Sequence, residues 1–409
     1  MNTERLLEKI LSPENMDEAI KQVKRNKGAA GVDGMLTTEL DSCFEAHGKE
    51  IKELIRKRKY NPSPVLRVEI PKPNGGVRNL GIPTVIDRMI QQAVSQIITP
   101  IFEETFHDSS YGFRVGRCAQ NAIEKALNLM NHHYTWIVDI DLEKFFDTVN
   151  HDKLMTLVAK RVQDGDVVSL IRKYLVSGVM IDDEYKESII GTPQGGNLSP
   201  LLSNIMLNEL DWELEQRGLN FVRYADDCII LVGSEKSANR VMTSVAKFIE
   251  ENLRLKVNTS KSKIGTPKEL KYLGFGFYFD SFQKQYKARP HEDSVMKIKS
   301  RIKELSSRKW GVSMDYRIMH LNWAIRGWVN YFRIANMKKV CKEIDQHMRF
   351  RLRMCIWKQW KKPRTRYKSL MKLGIPKGKA WEWANSRKGY ARVAGSFIMC
   401  RAVTNEILK

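Results

Sequence analysis

The sequence predicts an α+β protein in two parts: a sheet-bearing first part over residues 1–285, and a helical, strongly basic second part over 286–409. Three observations predict it. Two β-prone runs, 136–140 and 221–232, carry aspartates at or near their ends. Apolar residues at helical spacing fill most of the sequence between and around them. Beyond about residue 289 the strand signals stop and basic helical patterns take over.

Composition sets the outer bounds. The 409 residues suffice for two or three domains with real cores. No apolar run is long enough to span a bilayer and no secretory signal opens the chain, so a cytoplasmic protein without a membrane partner is expected. The six cysteines are scattered without a CxxC pair, which offers neither a zinc site nor a disulfide framework. The net charge of +22 is unevenly placed: residues 1–290 hold 40 basic and 39 acidic side chains, and residues 291–409 hold 29 and 8. Seven of the nine tryptophans also lie in that last stretch. A basic, Trp-rich region fits a polyanion held by phosphate contacts and base stacking, without separating RNA from DNA.

In chain order, residues 1–60 read as helical, with Leu6, Leu7, Ile10 and Leu11 on one face. The interruption at 26–35, NKGAAGVDGM, follows no strand and precedes no Gly-Lys-Ser/Thr, so it is not a P-loop. Residues 65–83 read as a hairpin around Asn74-Gly75, with Lys72 and Arg78 beside the turn. Both could meet a triphosphate, or be ordinary solvated charges. A helix is expected over 87–101. The stretch 110–117 supplies Arg114 and Arg117, candidates for template or nucleotide phosphate, and a helix over 119–130 follows.

The next stretch, WIVDIDLEKFFDTV over 136–149, reads as a buried strand with Asp139 and Asp141 on one face, turning helical after Glu143. Helices over 152–178, a polar hairpin over 178–190 and a glycine-rich turn, GTPQGGN over 191–197, lead into a helix through Leu210. Gln194 in that turn could contact a nucleotide or template sugar. The run FVRYADDCIILV over 221–232 reads as a hairpin with Asp226 and Asp227 at its tip. Two like charges on a tight turn repel, and a divalent cation with hard oxygen ligands relieves that cost. A helix over 234–253, a strand over 255–257, a charged loop NTSKSKI over 258–264 and a strand pair over 272–279 complete the first part. Three helices are expected in the second part, over 294–305, 321–334 and 340–360. A basic, aromatic-laced run at 358–368 follows, either an RNA contact or a solvated linker, and the chain closes on a short basic tail.

An acid-bearing strand beside a strand-turn-strand carrying two more acids is a recurrent arrangement for two-metal phosphoryl transfer. YADD, the upstream DLEKFFD and the intervening GTPQGG resemble the palm of a reverse transcriptase, and WAIRGWVNYF at 323–332 resembles the maturase-specific domain of bacterial group II intron proteins. The resemblance implies a right-hand polymerase with interleaved fingers and palm, an antiparallel palm sheet backed by helices, and a helical thumb. It implies RNA-directed DNA synthesis with binding of the intron RNA. The partners are then an RNA template, intron RNA, a DNA target or primer, and dNTPs, with monomer and dimer both open. By the family's spacing of acid and sugar-facing aromatic, Asp141 and Phe146 take those roles ahead of Asp139. Asp141, Asp226 and Asp227 would hold two Mg²⁺ ions, with Mn²⁺ as a substitute. Lys72, Arg78, Gln194 and Lys261 would surround the dNTP, Phe146 would exclude ribose, and Arg114, Arg117 and Arg326 would meet template or RNA. The family's endonuclease motifs do not occur in this sequence, so an endonuclease-lacking form is expected. Rival readings are a splicing factor with a vestigial polymerase site and a domesticated enzyme of a defence or diversity-generating system. An RNA-dependent RNA polymerase ranks third.

Overall fold

The computed structural model describes residues 5–71, 75–181, 184–187, 190–191 and 195–408. The chain forms two compact units, residues 1–266 and 267–409. This division precedes the expected 285/286, because the strands between Lys271 and Pro290 belong to the second unit.

The first unit opens with helices α1 (Leu6–Ile10), α2 (Pro13–Asn26) and α3 (Leu40–Arg56). Ser12 caps α2 by accepting from the Asn15 amide, with Pro13 pre-set at the first helical position. Leu6, Leu7, Ile10 and Leu11 are buried as their spacing requires. Strands β1 (Val65–Pro71) and β2 (Val77–Ile82) form the expected antiparallel hairpin. Helix α4 (Val85–Glu103) starts at a Thr84 cap, and Arg88 on its first turn donates to the Ala29 carbonyl at 2.6 Å. The 26–35 interruption is therefore moored to α4 by its own backbone.

Next come α5 (Ala119–Asn131), strand β3 (Trp136–Ile140), the single turn α6 (Phe145–Thr148), α7 (His151–Ala159) and α8 (Gly165–Val176). The polar hairpin is β4 (Val179–Ile181) with β5 (Glu184–Lys186), and β4 runs parallel to β1, giving the sheet order β2-β1-β4-β5. Helix α9 (Ser199–Gln216) leads to β6 (Asn220–Tyr224) and β7 (Asp227–Val232), then α10 (Glu235–Glu251) and β8 (Lys263–Gly265). These last strands and β3 form an antiparallel sheet in the order β6-β7-β3-β8.

The fourth strand of that sheet differs from expectation. Residues 255–257 do not form a strand; Val257 makes one isolated bridge to Leu142. Lys263–Gly265 pairs with β3 instead, at the end of the run read as a charged loop. Leu255 and Val257 are apolar because they are buried in the main core, not because they extend a sheet. In the sheet, Val138, Ile140, Cys228 and Ile230 face that core together with residues of α9 and α10. By strand alternation, Asp139 and Asp227 stand on the opposite face.

In the second unit, β9 (Lys271–Tyr272), β10 (Phe275–Asp280) and β11 (Gln285–Pro290) form a small antiparallel sheet. Three long helices follow, α11 (Glu292–Leu305), α12 (Met314–Tyr331) and α13 (Lys338–Gln359). The expected basic run at 358–368 and the short tail after Trp383 belong to one folded region. It forms α14 (Pro363–Lys372), α15 (Lys377–Ala384), α16 (Tyr390–Ala394) and α17 (Phe397–Ala402). Leu370, Ala380, Val393, Met399 and Leu408 bury into one core with Leu321, Ile344 and Trp357. Basic side chains masked this apolar periodicity in the sequence.

Candidate active site

Strands β6 and β7 are joined by a two-residue turn, Ala225-Asp226, closed by the Tyr224–Asp227 pair. Ala225 has φ of +56°, a left-handed conformation that costs a residue with a Cβ about 1 kcal/mol or more. Something around the turn must hold it there. One constraint is the 110–117 segment, which runs beside β6: the Tyr111 amide donates to the Arg223 carbonyl and the Arg223 amide to the Ser109 carbonyl, each at 2.9 Å. Gly112 then lies directly on the turn. A Cβ there would come within 2.2 Å of the Ala225 nitrogen.

Asp141 follows β3 and is fixed by its backbone. Its amide donates to Ser262 Oγ at 3.0 Å, and its carbonyl accepts from the Asn258 amide at 2.8 Å. These bonds explain the polar run 258–262 and bring Lys261 Nζ to 3.8 Å from Asp141 Oδ1. The carboxylates influence one another. Burial, reinforced by Asp226, Asp139 and Asp141, pushes the Asp227 carboxyl up to about 7. Burial and the Asp141 charge likewise push Asp139 up to about 6 against the pull of Lys263, its cross-strand partner. Asp226 is raised by burial and by Asp141, and pulled back by the charges of Arg78 and Arg223. The β1–β2 hairpin thus brings Arg78 within electrostatic reach of the turn.

Among the described residues, no three His, Cys, Asp or Glu side chains converge in an arrangement that could hold a metal ion. The donor chemistry nevertheless suits a hard divalent cation: carboxylate oxygens whose proton affinity is raised by burial and by one another's charge.

Phe145 is buried in the core and Phe146 is half-buried, edge-on to it at 5.2 Å between centroids. Beneath them, Gly191 presses on the backbone of Phe146 and Asp147, where a Cβ would approach to 2.9 Å, and its φ of +94° favours glycine. Its amide donates to the Val149 carbonyl at 2.9 Å, and its carbonyl contacts the ring of buried His151. The start of GTPQGG is thereby pinned beneath Phe146. Lys72 and Gln194 lie outside the described residues.

Arg114 departs from expectation. It is buried, and its guanidinium is engaged within the protein, with Glu103 at 2.7 Å and the carbonyls of His107 and Ser110. It shapes the 107–114 turn and is not presented to a phosphate. Arg117 pairs with Asp108 at 2.8 Å and keeps part of its surface open. In the second unit, Arg326 is exposed on α12. Tyr316, Met319 and Trp323 stand exposed along the same helix, with His320 edge-on to Trp323 at 5.0 Å. Several other arginines of this basic region are internal. Arg317 donates to the Leu305 and Trp310 carbonyls, Arg353 to the Val403 carbonyl, and Arg366 to the Trp360 carbonyl.

Sequence reasoning passed over Gly112, His151 and Arg223. A lone arginine inside the apolar strand FVRY was the one available signal.

A reverse transcriptase (RNA-dependent DNA polymerase) family model matches residues 70–277, and a group II intron maturase-specific domain model matches residues 295–374. Protein YkfC of Escherichia coli is 34% identical over 304 residues, covering 64% of this chain and 80% of that protein. The group II intron-encoded protein LtrA of Lactococcus lactis is 36% identical over 226 residues, covering 55% of this chain and 37% of LtrA. A telomerase structure from Candida albicans aligns with TM-score 0.44 at 11% identity, over 86% of this chain and 69% of that one. The chain belongs to the reverse transcriptase family and carries a group II intron maturase domain. Its first unit contains most of the RNA-directed DNA polymerase domain. Among the described residues, no helix is long and apolar enough to cross a membrane.

Proposed function

We propose that the chain copies RNA into DNA at the β6–β7 turn and also binds a group II intron RNA through its second unit to assist splicing and mobility. In this reading the α+β first unit supplies fingers and palm, and the helical second unit supplies the thumb and the intron-binding surface. The observation that carries it is the electrostatic coupling of Asp226 and Asp227, on the β6–β7 turn, to Asp141 just after β3, with Lys261 paired to Asp141 and the charge of Arg78 reaching Asp226.

Asp141, Asp226 and Asp227 would hold two Mg²⁺ ions, for which Mn²⁺ could substitute. When bound, these ions supply Lewis acidity at the primer 3′-hydroxyl and compensate charge on the departing pyrophosphate. Arg78 and Lys261, together with Lys72, bind the triphosphate of the incoming dNTP. Phe146 excludes a ribose 2′-hydroxyl, and Gln194 contacts the nucleotide or template sugar. The exposed Tyr316, Trp323 and Arg326 on α12 suit base stacking and phosphate contact with RNA.

The test is primer extension on an RNA template with Mg²⁺ and dNTPs, wild type beside Asp226→Ala. Extension by wild type and a loss of at least about 100-fold in the variant, near 2.7 kcal/mol of transition-state stabilisation, are expected. A folded wild type that extends no primer with any divalent ion would overturn the polymerase site and leave RNA binding as the protein's work.

A further inference from the structure

The turn that carries Asp226 is held from beneath by a buried guanidinium. Arg223 precedes it by two residues on β6 and is fully buried. It pairs with Cys228 across the hairpin, so its side chain lies on the core face, opposite the carboxylates. Each of its five N–H groups has an acceptor. Nε and Nη2 take the two oxygens of Asp211 on α9, the former at 2.7 Å. Nη2 also donates to Ser110 Oγ at 2.7 Å. Nη1 donates to Asn204 Oδ1 at 3.0 Å and to the Ala225 carbonyl at 2.9 Å. Asn204 completes the frame by donating from Nδ2 to the Gly112 carbonyl at 2.8 Å.

A buried ion pair of this kind adds little stability over apolar residues of the same volume, because desolvation offsets the attraction. What it adds is direction. A fork with five fixed donors locks three chain segments, α9, residues 110–112 and the turn, in one relative geometry. The left-handed Ala225 is the residue that needs such a constraint.

We propose that Arg223, braced by Asp211 and Asn204, is a positioning residue for DNA synthesis, holding the Ala225-Asp226 turn so that its carboxylates meet the cation and substrate correctly. This rests on the reading of Asp226 and Asp227 as cation ligands. Arg223 touches neither substrate nor cation in this scheme and acts through the Ala225 carbonyl.

The experiment uses the full chain and the double variant Arg223→Met/Asp211→Leu, which replaces the pair by apolar side chains. Melting temperature and primer extension across a Mg²⁺ titration are both measured. The expected result is a melting temperature within about 5 °C of wild type, a maximal rate lowered about tenfold or more, and a half-saturating Mg²⁺ concentration raised severalfold. A folded double variant with wild-type rate and Mg²⁺ dependence overturns the proposal. If the double variant does not fold, Asn204→Ala decides: it keeps the ion pair and the Nη1 bond to the Ala225 carbonyl but removes the brace that Asn204 gives to Nη1 and to the Gly112 carbonyl. It should raise the Mg²⁺ requirement, and an unchanged requirement overturns the proposal. Asp226→Asn run in parallel separates the two claims, since full activity in that variant would remove the ligand reading whatever the Arg223 variants do.

Discussion

Gly112→Ala tests the geometry of the site with a single methyl group. The added Cβ would sit 2.2 Å from the Ala225 nitrogen and 2.9 Å from the Tyr224 carbonyl carbon, both backbone atoms that cannot rotate away. Ordinary van der Waals contact begins at 3.4 Å, so the turn and residues 110–113 must part by about 1 Å. Overpacking of that kind costs about 1–3 kcal/mol, or several degrees of melting temperature in a unit of this size. The catalytic cost should lie at the upper end of that range, because a displacement of about 1 Å in a reacting constellation lowers rates on the order of 100-fold, about 2.7 kcal/mol. The assay pairs thermal melting with single-turnover primer extension at saturating Mg²⁺ and dNTP. The reasoning predicts a folded protein whose extension is about 100-fold slow while template binding persists. A Gly112→Ala protein that melts and extends like wild type would show that this contact is not part of the turn's support.

Two further variants test the sugar site of the first unit and the exposed face of α12 in the second. Phe146→Ala should lower discrimination against rNTPs by about 10- to 100-fold, read from competing dNTP and rNTP incorporation, and an unchanged ratio in a folded variant would exclude Phe146 from the sugar site. Trp323→Ala removes a side chain that is 60% exposed, so stability should change by less than about 0.5 kcal/mol. Affinity for intron RNA should fall by about 1–3 kcal/mol at fixed salt, and equal binding would move the RNA surface off this face of α12.

The elements that carry carboxylates were legible because their chemistry is local. A tight turn between β-formers can be read from YADD and its flanks, and the observed Tyr224–Asp227 closure agrees. The β1–β2 hairpin, α4, α5, α9, α10 and the three long helices of the second unit also follow their apolar periods. Strand β8 was illegible for the opposite reason. It has three residues, two of them Lys263 and Gly265, and is a strand only because β3 offers a free edge. Leu255 and Val257 had the better strand composition, but beyond the single Val257–Leu142 bridge they have no ladder to join, and burial accounts for their apolar character.

Charge was the least legible signal, because a guanidinium looks the same in sequence whether it meets a phosphate or a carbonyl. Arg114 was a candidate phosphate contact, yet Glu103 and two backbone carbonyls take it inward. Arg223 was passed over, yet it reaches the Ala225-Asp226 turn. In the second unit, Arg317, Arg353 and Arg366 end on main-chain carbonyls near turns or helix ends, where a cation also meets the negative end of the helix dipole. The excess of basic residues beyond 290 therefore divides between scaffold and surface, and only the surface share can neutralise RNA phosphates. The same division separates the two arginines of the first unit that are proposed to act at the turn. Arg78 stays exposed, with its charge reaching Asp226, whereas Arg223 works through bonds that exclude solvent and direct the turn. Exchanging Arg for Lys at the first would preserve most of the electrostatic effect, and at the second would discard the fork on which the geometry depends.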